Sequence, residues 1–379
     1  MRPIFYIDQQ SYGNLSIYDY SLLSRINSQR KIHYFCNSLY DGQPFPKNIA
    51  VHKIFRYSGK QGLEKKLSYA MSVLQLLCFV IVLRPSVIHQ QWIKATLFDL
   101  SIWKIARRLF GTRIIFTAHN VLPHIRTNTS LQEYRTIYSL CDRVISHTET
   151  SRGELIAEFP ETESKVSIVP HGVMELSANR HDVERLKADY CRKYALDAKF
   201  IVGILGARSQ YKGSDLILSV WKNTPEILND DSIRLLAVGK TQKDLEEQMP
   251  KLTEGIPNLI SIDRFIENDE FEALMELTDV MLMPYRHIDQ SGLLLTIAQK
   301  EIPFCVSTVG ELKKPLEIAD VGWSFKSLDA SDIRDKILEI LHNRKAVAAK
   351  KNDKEGWRRI QQYYDWDKSA LLTSRLYEF

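Results

Sequence analysis

The chain is short of the residues that mark special classes of protein. Its five cysteines (Cys36, Cys78, Cys141, Cys191, Cys305) are odd in number, scattered, and include no CxxC pair. That excludes a disulfide framework and a zinc site of that kind, and suits reduced thiols in a cytoplasm. Only 13 prolines and 16 glycines occur in 379 residues, too few for a long low-complexity tract. Charge of one sign is not in excess: 51 basic against 46 acidic residues leave +5, too little to argue for nucleic acid. No apolar run reaches the roughly 20 residues of a spanning helix. The longest uncharged stretch, Leu67 to Leu83, follows Lys65 and Lys66 and is interrupted by Ser68, Ser72 and Gln75. It is expected to be a core helix of an α/β domain, the alternative being a surface helix that dips into a bilayer. The first ten residues turn polar after one short apolar strand, without the apolar centre of a secretory leader.

What is present is an ordinary globular balance, 44% hydrophobic and 26% charged, in a chain too long for one core, so two domains are expected. Short apolar strands alternate with longer helices, the pattern of parallel α/β architecture. The strands expected in the first half are Ile4–Ile7, Ile32–Cys36, Val87–His89, Ile114–Thr117, Arg143–Ser146 and Val166–Val169. In the second half they are Phe200–Leu205, Ile233–Val238, Leu259–Ile262, Val280–Met283 and Phe304–Val306. Ser177 to Asp197 is charged and lacks strand character, and the strand pattern restarts after it. The expected fold is therefore α/β, with two Rossmann-like doubly wound parallel-sheet domains facing across a cleft. They span 1–176 and 199–355, joined by 177–198, with ligand taken at the carboxyl ends of the strands.

The strand ends carry the chemistry. Gly206-Ala207-Arg208-Ser209-Gln210-Tyr211-Lys212-Gly213 follows an apolar strand and opens a helix with Leu216, Ile217 and Val220 on one face. A helix N-terminus offers free N–H groups, and a guanidinium and an ammonium four residues apart add charge, so the fitting guest is a diphosphate. The plain alternative is a solvated Arg and Lys on a turn. His119 and Asn120 stand just past one strand, and His171 and Gly172 past another. Either histidine has the alternative of a hydrogen-bonded strand-end residue. Gln290-Ser291-Gly292-Leu293 opens an apolar helix able to present N–H groups to an anion. Tyr12-Gly13-Asn14 is a turn after the first strand, where Gly13 would permit close approach of backbone to a phosphate.

Together these segments resemble the retaining nucleotide-sugar glycosyltransferases of family 4, the two-Rossmann-domain GT-B architecture. The resemblance rests on Thr-Ala-His-Asn-Val-Leu-Pro-His at 117–124, Val-Pro-His-Gly-Val at 169–173, the Gly206–Gly213 turn, Pro-Tyr at 284 and Gln-Ser-Gly at 290. It implies a first domain that takes the acceptor, a second that takes the donor, and a C-terminal segment, 356–379, whose helix crosses back to the first. It assigns Arg208 and Lys212 to the phosphates and His119 to the sugar near the reacting centre. Gly13, Asn14, Asn120, His171, Gly206, Asp289, Gln290, Ser291, Gly292, Leu293 and Thr296 would form the rest of the donor site.

The resemblance implies no cofactor beyond a UDP- or GDP-sugar co-substrate and no metal. Asp365-Trp366-Asp367 mimics a metal motif of another architecture but precedes a helix, so it reads as an N-cap. Much of the family carries two glutamates at the donor helix; here their positions fall near Asp289 and on Thr296. The implied partners are a nucleoside-diphosphate sugar and a saccharide or lipid-linked acceptor, with peripheral membrane contact at the inner face of a cytoplasmic membrane. Two other readings stand beside this one: a sugar-nucleotide epimerase, which would need cleft carboxylates that these loops lack, and a non-catalytic nucleotide-sugar binder.

Overall fold

The structure, a computed structural model, describes residues 1–121, 128–173, 179–288 and 290–378. The chain forms two compact units, one of Met1–Gly172 with Tyr364–Phe379 and one of Val173–Tyr363. The helix Arg180–Tyr194, in the segment expected to link the domains, lies within the second unit. So does the helix Lys354–Tyr363, while Trp366–Tyr377 belongs to the first.

The first unit holds β1 (Ile4–Asp8), β2 (Ile32–Asn37), β3 (Ile49–Phe55), β4 (Val87–Gln90), β5 (Arg113–Ala118), β6 (Arg143–Ser146) and β7 (Val166–Ile168). They form one parallel sheet in the order β3-β2-β1-β4-β5-β6-β7. The second unit holds β8 (Phe200–Leu205), β9 (Ile233–Val238), β10 (Leu259–Ile262), β11 (Val280–Met283), β12 (Phe304–Val306) and β13 (Gly322–Ser324). Their order is β10-β9-β8-β11-β12-β13, again parallel. Each order reverses beside its first strand, the doubly wound topology that gathers loops at the carboxyl ends. Central strands such as β1 and β8 are buried along their whole length, as helices on both faces of a parallel sheet require.

The helix Trp366–Tyr377 completes the first core. Asp365 caps it, accepting from the Asp367 N–H at 2.9 Å. Trp366 is buried against Tyr18 and lies so close to Gly172 that a Cβ there would stand 2.2 Å from the indole. Tyr377 brings its hydroxyl 2.7 Å from His89 Nδ1.

The helix Gly62–Leu83 departs from the expected core helix. Tyr69, Ser72, Val73, Leu76 and Val80 pack inward, but Leu67, Met71, Leu74, Ile81 and Val82 are exposed.

Candidate functional site

In the second unit the expected phosphate turn leaves the carboxyl end of β8. Gly213 has φ +69°, and a Cβ on it would lie 2.2 Å from the Pro284 carbonyl oxygen, so only glycine allows this turn to seat against the loop after β11. Arg286 fixes the same junction with a bidentate ion pair to Asp215, 2.8 and 2.7 Å, while its backbone N–H donates to the Tyr211 carbonyl at 2.7 Å. Lys212 lies half-buried beside Gly206, Ala207, Ser214 and Tyr285, with Nζ 5.5 Å from the centre of the Tyr285 ring. Among the described residues no carboxylate lies within ion-pair distance of it, and burial lowers its pKa. It is a desolvated cation without a counter-ion among the described residues.

Arg208 is placed differently from the sequence expectation of a loop cation. It is 1% exposed; Nε donates to the Gly239 carbonyl at 2.9 Å and Nη1 to Ser261 Oγ at 2.9 Å. The reason is pairing beyond the strand end: Arg208 forms an isolated parallel bridge with Thr241, which turns its side chain under the loops after β9 and β10. Nη2 and the neighbouring Ser209 Oγ are buried without partners among the described residues, and unpaired buried groups of this kind call for a ligand or a water. Arg208, Lys240, Thr241, Met249, Asp263 and Phe265 line a cavity of about 530 Å³. Lys240, Asp263 and Arg286 were missed in the sequence, because single charged residues after a strand carry no local pattern.

The helix Gly292–Gln299, expected at the donor site, starts where the sequence pattern puts it. Ser291 caps it, accepting from Leu294 N–H at 3.4 Å, and the Leu293 side chain reaches 3.9 Å from where a Cβ of Gly206 would stand. Gln290 is half-buried. Thr296 is buried and donates its hydroxyl proton to the Gly292 carbonyl at 3.0 Å. Asp289 lies outside the described residues, as do Leu122, Pro123 and His124 of the first family motif.

The first unit collects the other expected residues. Gly13, at φ +57°, precedes the helix Asn14–Leu23 and so fixes where Asn14 begins it. Tyr18 of that helix meets His119 and His171 at ring-centre distances of 5.1 and 4.9 Å. Asn120 is half-buried beside His119. His119 stacks on Trp92, 4.5 Å apart at 9°, and both its ring nitrogens are engaged: Nε2 lies 3.0 Å from Gln91 Oε1 and Nδ1 3.3 Å from His147 Nε2. His147 in turn donates from Nδ1 to the Val169 carbonyl at 2.9 Å, so when neutral it can only accept at Nε2, and a neutral His119 has one proton for the two acceptors it faces, Gln91 Oε1 and His147 Nε2. His171 donates from Nδ1 to the Gly172 carbonyl at 2.7 Å; no partner engages its Nε2 among the described residues. Of the two strand-end histidines, His171 has a ring nitrogen that no described residue meets, and both nitrogens of His119 face a neighbour. Gln91, His89 and His147 went unnoticed in the sequence because they act on other side chains from strand ends apart in the chain.

Burial holds His89 down at about 3 and His147 at about 4, below the roughly 6.5 of a free imidazole. The unfolded chain therefore binds protons that the folded unit refuses, and stability falls as pH drops from about 6.5 toward 4. Each of these histidines should contribute about 1.4 kcal/mol per pH unit in that window. Buried Asp19, which accepts from Tyr6 at 2.8 Å and Tyr34 at 2.6 Å, is held up at about 6 by desolvation and works in the opposite sense. The diagnostic is thus a difference: His147→Gln should flatten the pH slope of denaturant-measured stability by about 1.4 kcal/mol per unit relative to wild type.

These two doubly wound units define a fold, that of the GT-B glycosyltransferases. The chain aligns over its full length with sucrose-phosphate synthase of Thermosynechococcus elongatus, at 16% identity, 98% of that chain and TM-score 0.74. It aligns with Anabaena HepE in complex with UDP-glucose at 14% identity, 100% of both chains and TM-score 0.71. WaaG, a glycosyltransferase involved in lipopolysaccharide biosynthesis, matches at 12% identity over 98% of this chain and 99% of that one, with TM-score 0.68. No curated protein matches the chain in sequence. Residues 28–174 match the model of Glycosyltransferase Family 4, the family that the motifs resemble, and the motifs at 117–124 and 169–173 lie within that match.

Proposed function

We propose that the chain transfers a sugar from a nucleoside diphosphate sugar, UDP- or GDP-linked, to a saccharide or lipid-linked saccharide in glycan assembly, with retention at the anomeric carbon and without a divalent metal. The observation that carries this reading is Lys212: a half-buried ammonium without a carboxylate partner among the described residues, on a glycine-closed turn at a strand end. The family match over residues 28–174 supports it, as does the likeness to a structure that holds UDP-glucose.

Breaking the bond from sugar C1 to the diphosphate builds negative charge on the leaving phosphate, so catalysis resides in fixed positive groups. Lys212 supplies one, and the N-terminus of Gly292–Gln299 supplies N–H dipoles. The cavity under Arg208 and beside Asp263 is assigned to the nucleoside, with Arg208 holding the cavity wall rather than the phosphate. The Thr296 hydroxyl, whose proton is bonded within its helix, would meet a ribose only as an acceptor. The first unit is assigned to the acceptor. Attack from the face of the departing phosphate, which takes the acceptor proton, accounts for retention without a carboxylate nucleophile.

Calorimetric titration in chelator with UDP, GDP and ADP, and with their glucose and mannose conjugates, should find one diphosphate family bound. Incubating that donor with saccharide acceptors should then release the free diphosphate. Binding to none of them would overturn the donor reading. Binding without turnover on any acceptor would favour the non-catalytic binder, and activity that returns only with magnesium or manganese would refute metal independence.

A further inference from the structure

The helix Gly62–Leu83 has a mean hydropathy of 1.9 over its most apolar 18-residue window, of which only 28% is buried. Its outward residues are large: Leu63 is 70% exposed, Met71 65% and Val82 74%. The stripe continues on the neighbouring helix Thr96–Phe110, which packs beside it on the same sheet face and exposes Leu97, Phe98 and Leu109. An apolar surface of this extent on a soluble unit marks an interaction site.

We propose that these two helices form the face by which the first unit lies on an anionic bilayer. The argument for lipid is charge. Lys65 and Lys66 flank the stripe at one end and Arg84 at the other, and Lys104 and Arg108 stand exposed on the second helix. On the two outward faces the acidic residue is Glu64, already paired with Lys60 at 3.3 Å; Asp99 is buried. A self-complementary protein interface would pair its cations with carboxylates, whereas a rim of cations around an apolar centre complements acyl chains beneath phosphate headgroups.

The helix lies on the membrane and does not cross it. Tyr69, Val73, Leu76 and Val80 fill the first core, and Ser72 Oγ donates to the Ile54 carbonyl at 2.8 Å. Insertion across the bilayer would strip both from the sheet. The geometry thus gives an in-plane anchor whose outward stripe enters the headgroup boundary.

Flotation of the full chain with vesicles of phosphatidylcholine containing about 30% phosphatidylglycerol tests this. Wild type should float, and the double variant Met71→Glu, Leu74→Glu should lose about tenfold in vesicle affinity with unchanged thermal unfolding, since both side chains point outward. An independent variant, Lys104→Glu with Arg108→Glu, should lose a similar factor and abolish the salt dependence of binding. The proposal is overturned if wild type does not float, if it binds pure phosphatidylcholine equally well, or if neither variant changes binding. It is also overturned if light scattering shows a dimer that the Met71, Leu74 variant dissolves, since the face would then be covered by a second copy.

Discussion

Lys212→Met should lower sugar transfer by about a hundredfold to a thousandfold, the scale on which single charge-stabilising groups act on an acyl or phosphoryl leaving group. The same variant should unfold close to the wild-type temperature. Methionine keeps the length of the stem beside Tyr285, and no ion pair is broken because Lys212 has no carboxylate partner among the described residues. Removing an uncompensated, desolvated charge is more apt to stabilise the fold than to weaken it. Steady-state rates and a melting curve on one preparation decide the matter. A rate within a factor of about three of wild type would remove Lys212 from the site, and a large drop in melting temperature would make any lost activity uninformative.

Arg208→Met is expected to behave in the opposite way, with stability falling by about 2–4 kcal/mol. The substitution leaves the buried Gly239 carbonyl without the guanidinium that bonds it and removes the bond to the Ser261 hydroxyl on the cavity wall. Denaturant titration measures the loss, and Arg208→Lys should recover only part of it, since one ammonium cannot span the two acceptors as a planar fork does. If Arg208→Met keeps full stability yet loses transfer, the arginine is a phosphate ligand after all, as the motif alone suggests.

The contrast between these two residues shows where a sequence is legible. Strands buried on both faces, such as Phe200–Leu205 and Ile233–Val238, are unbroken apolar runs, and they form with the bounds that the pattern implies. The edge strand Ile49–Phe55 was missed because only its ends are buried, and Ala50 to Lys53, with the polar His52 and Lys53, are at least partly exposed. Gly322–Ser324 was missed because three residues opening on glycine carry no periodicity. Glycine spacing and paired cations pointed to the Gly206–Gly213 turn, which the structure forms between β8 and the helix Ser214–Lys222. Which cation faces outward depended on the bridge between Arg208 and Thr241, 33 positions away, and no local pattern encodes it. The histidines show the same limit: strand-end position singled out His119 and His171, but the nitrogen left free is set by Gln91, His147 and Gly172 acting through space. The outward face of Gly62–Leu83 was ambiguous for a related reason, since a uniformly apolar helix does not reveal which side the sheet covers.

The return of Tyr364–Phe379 to the first unit bears on how the protein is made. During synthesis the first sheet emerges early, yet His89 lacks the Tyr377 hydroxyl and Gly172 lacks the Trp366 ring until the helix Trp366–Tyr377 has left the ribosome. The second unit has its whole sequence available sooner. The domain that begins first is thus the last to be finished, and a chain cut anywhere before Trp366 would release a first domain with an open seam.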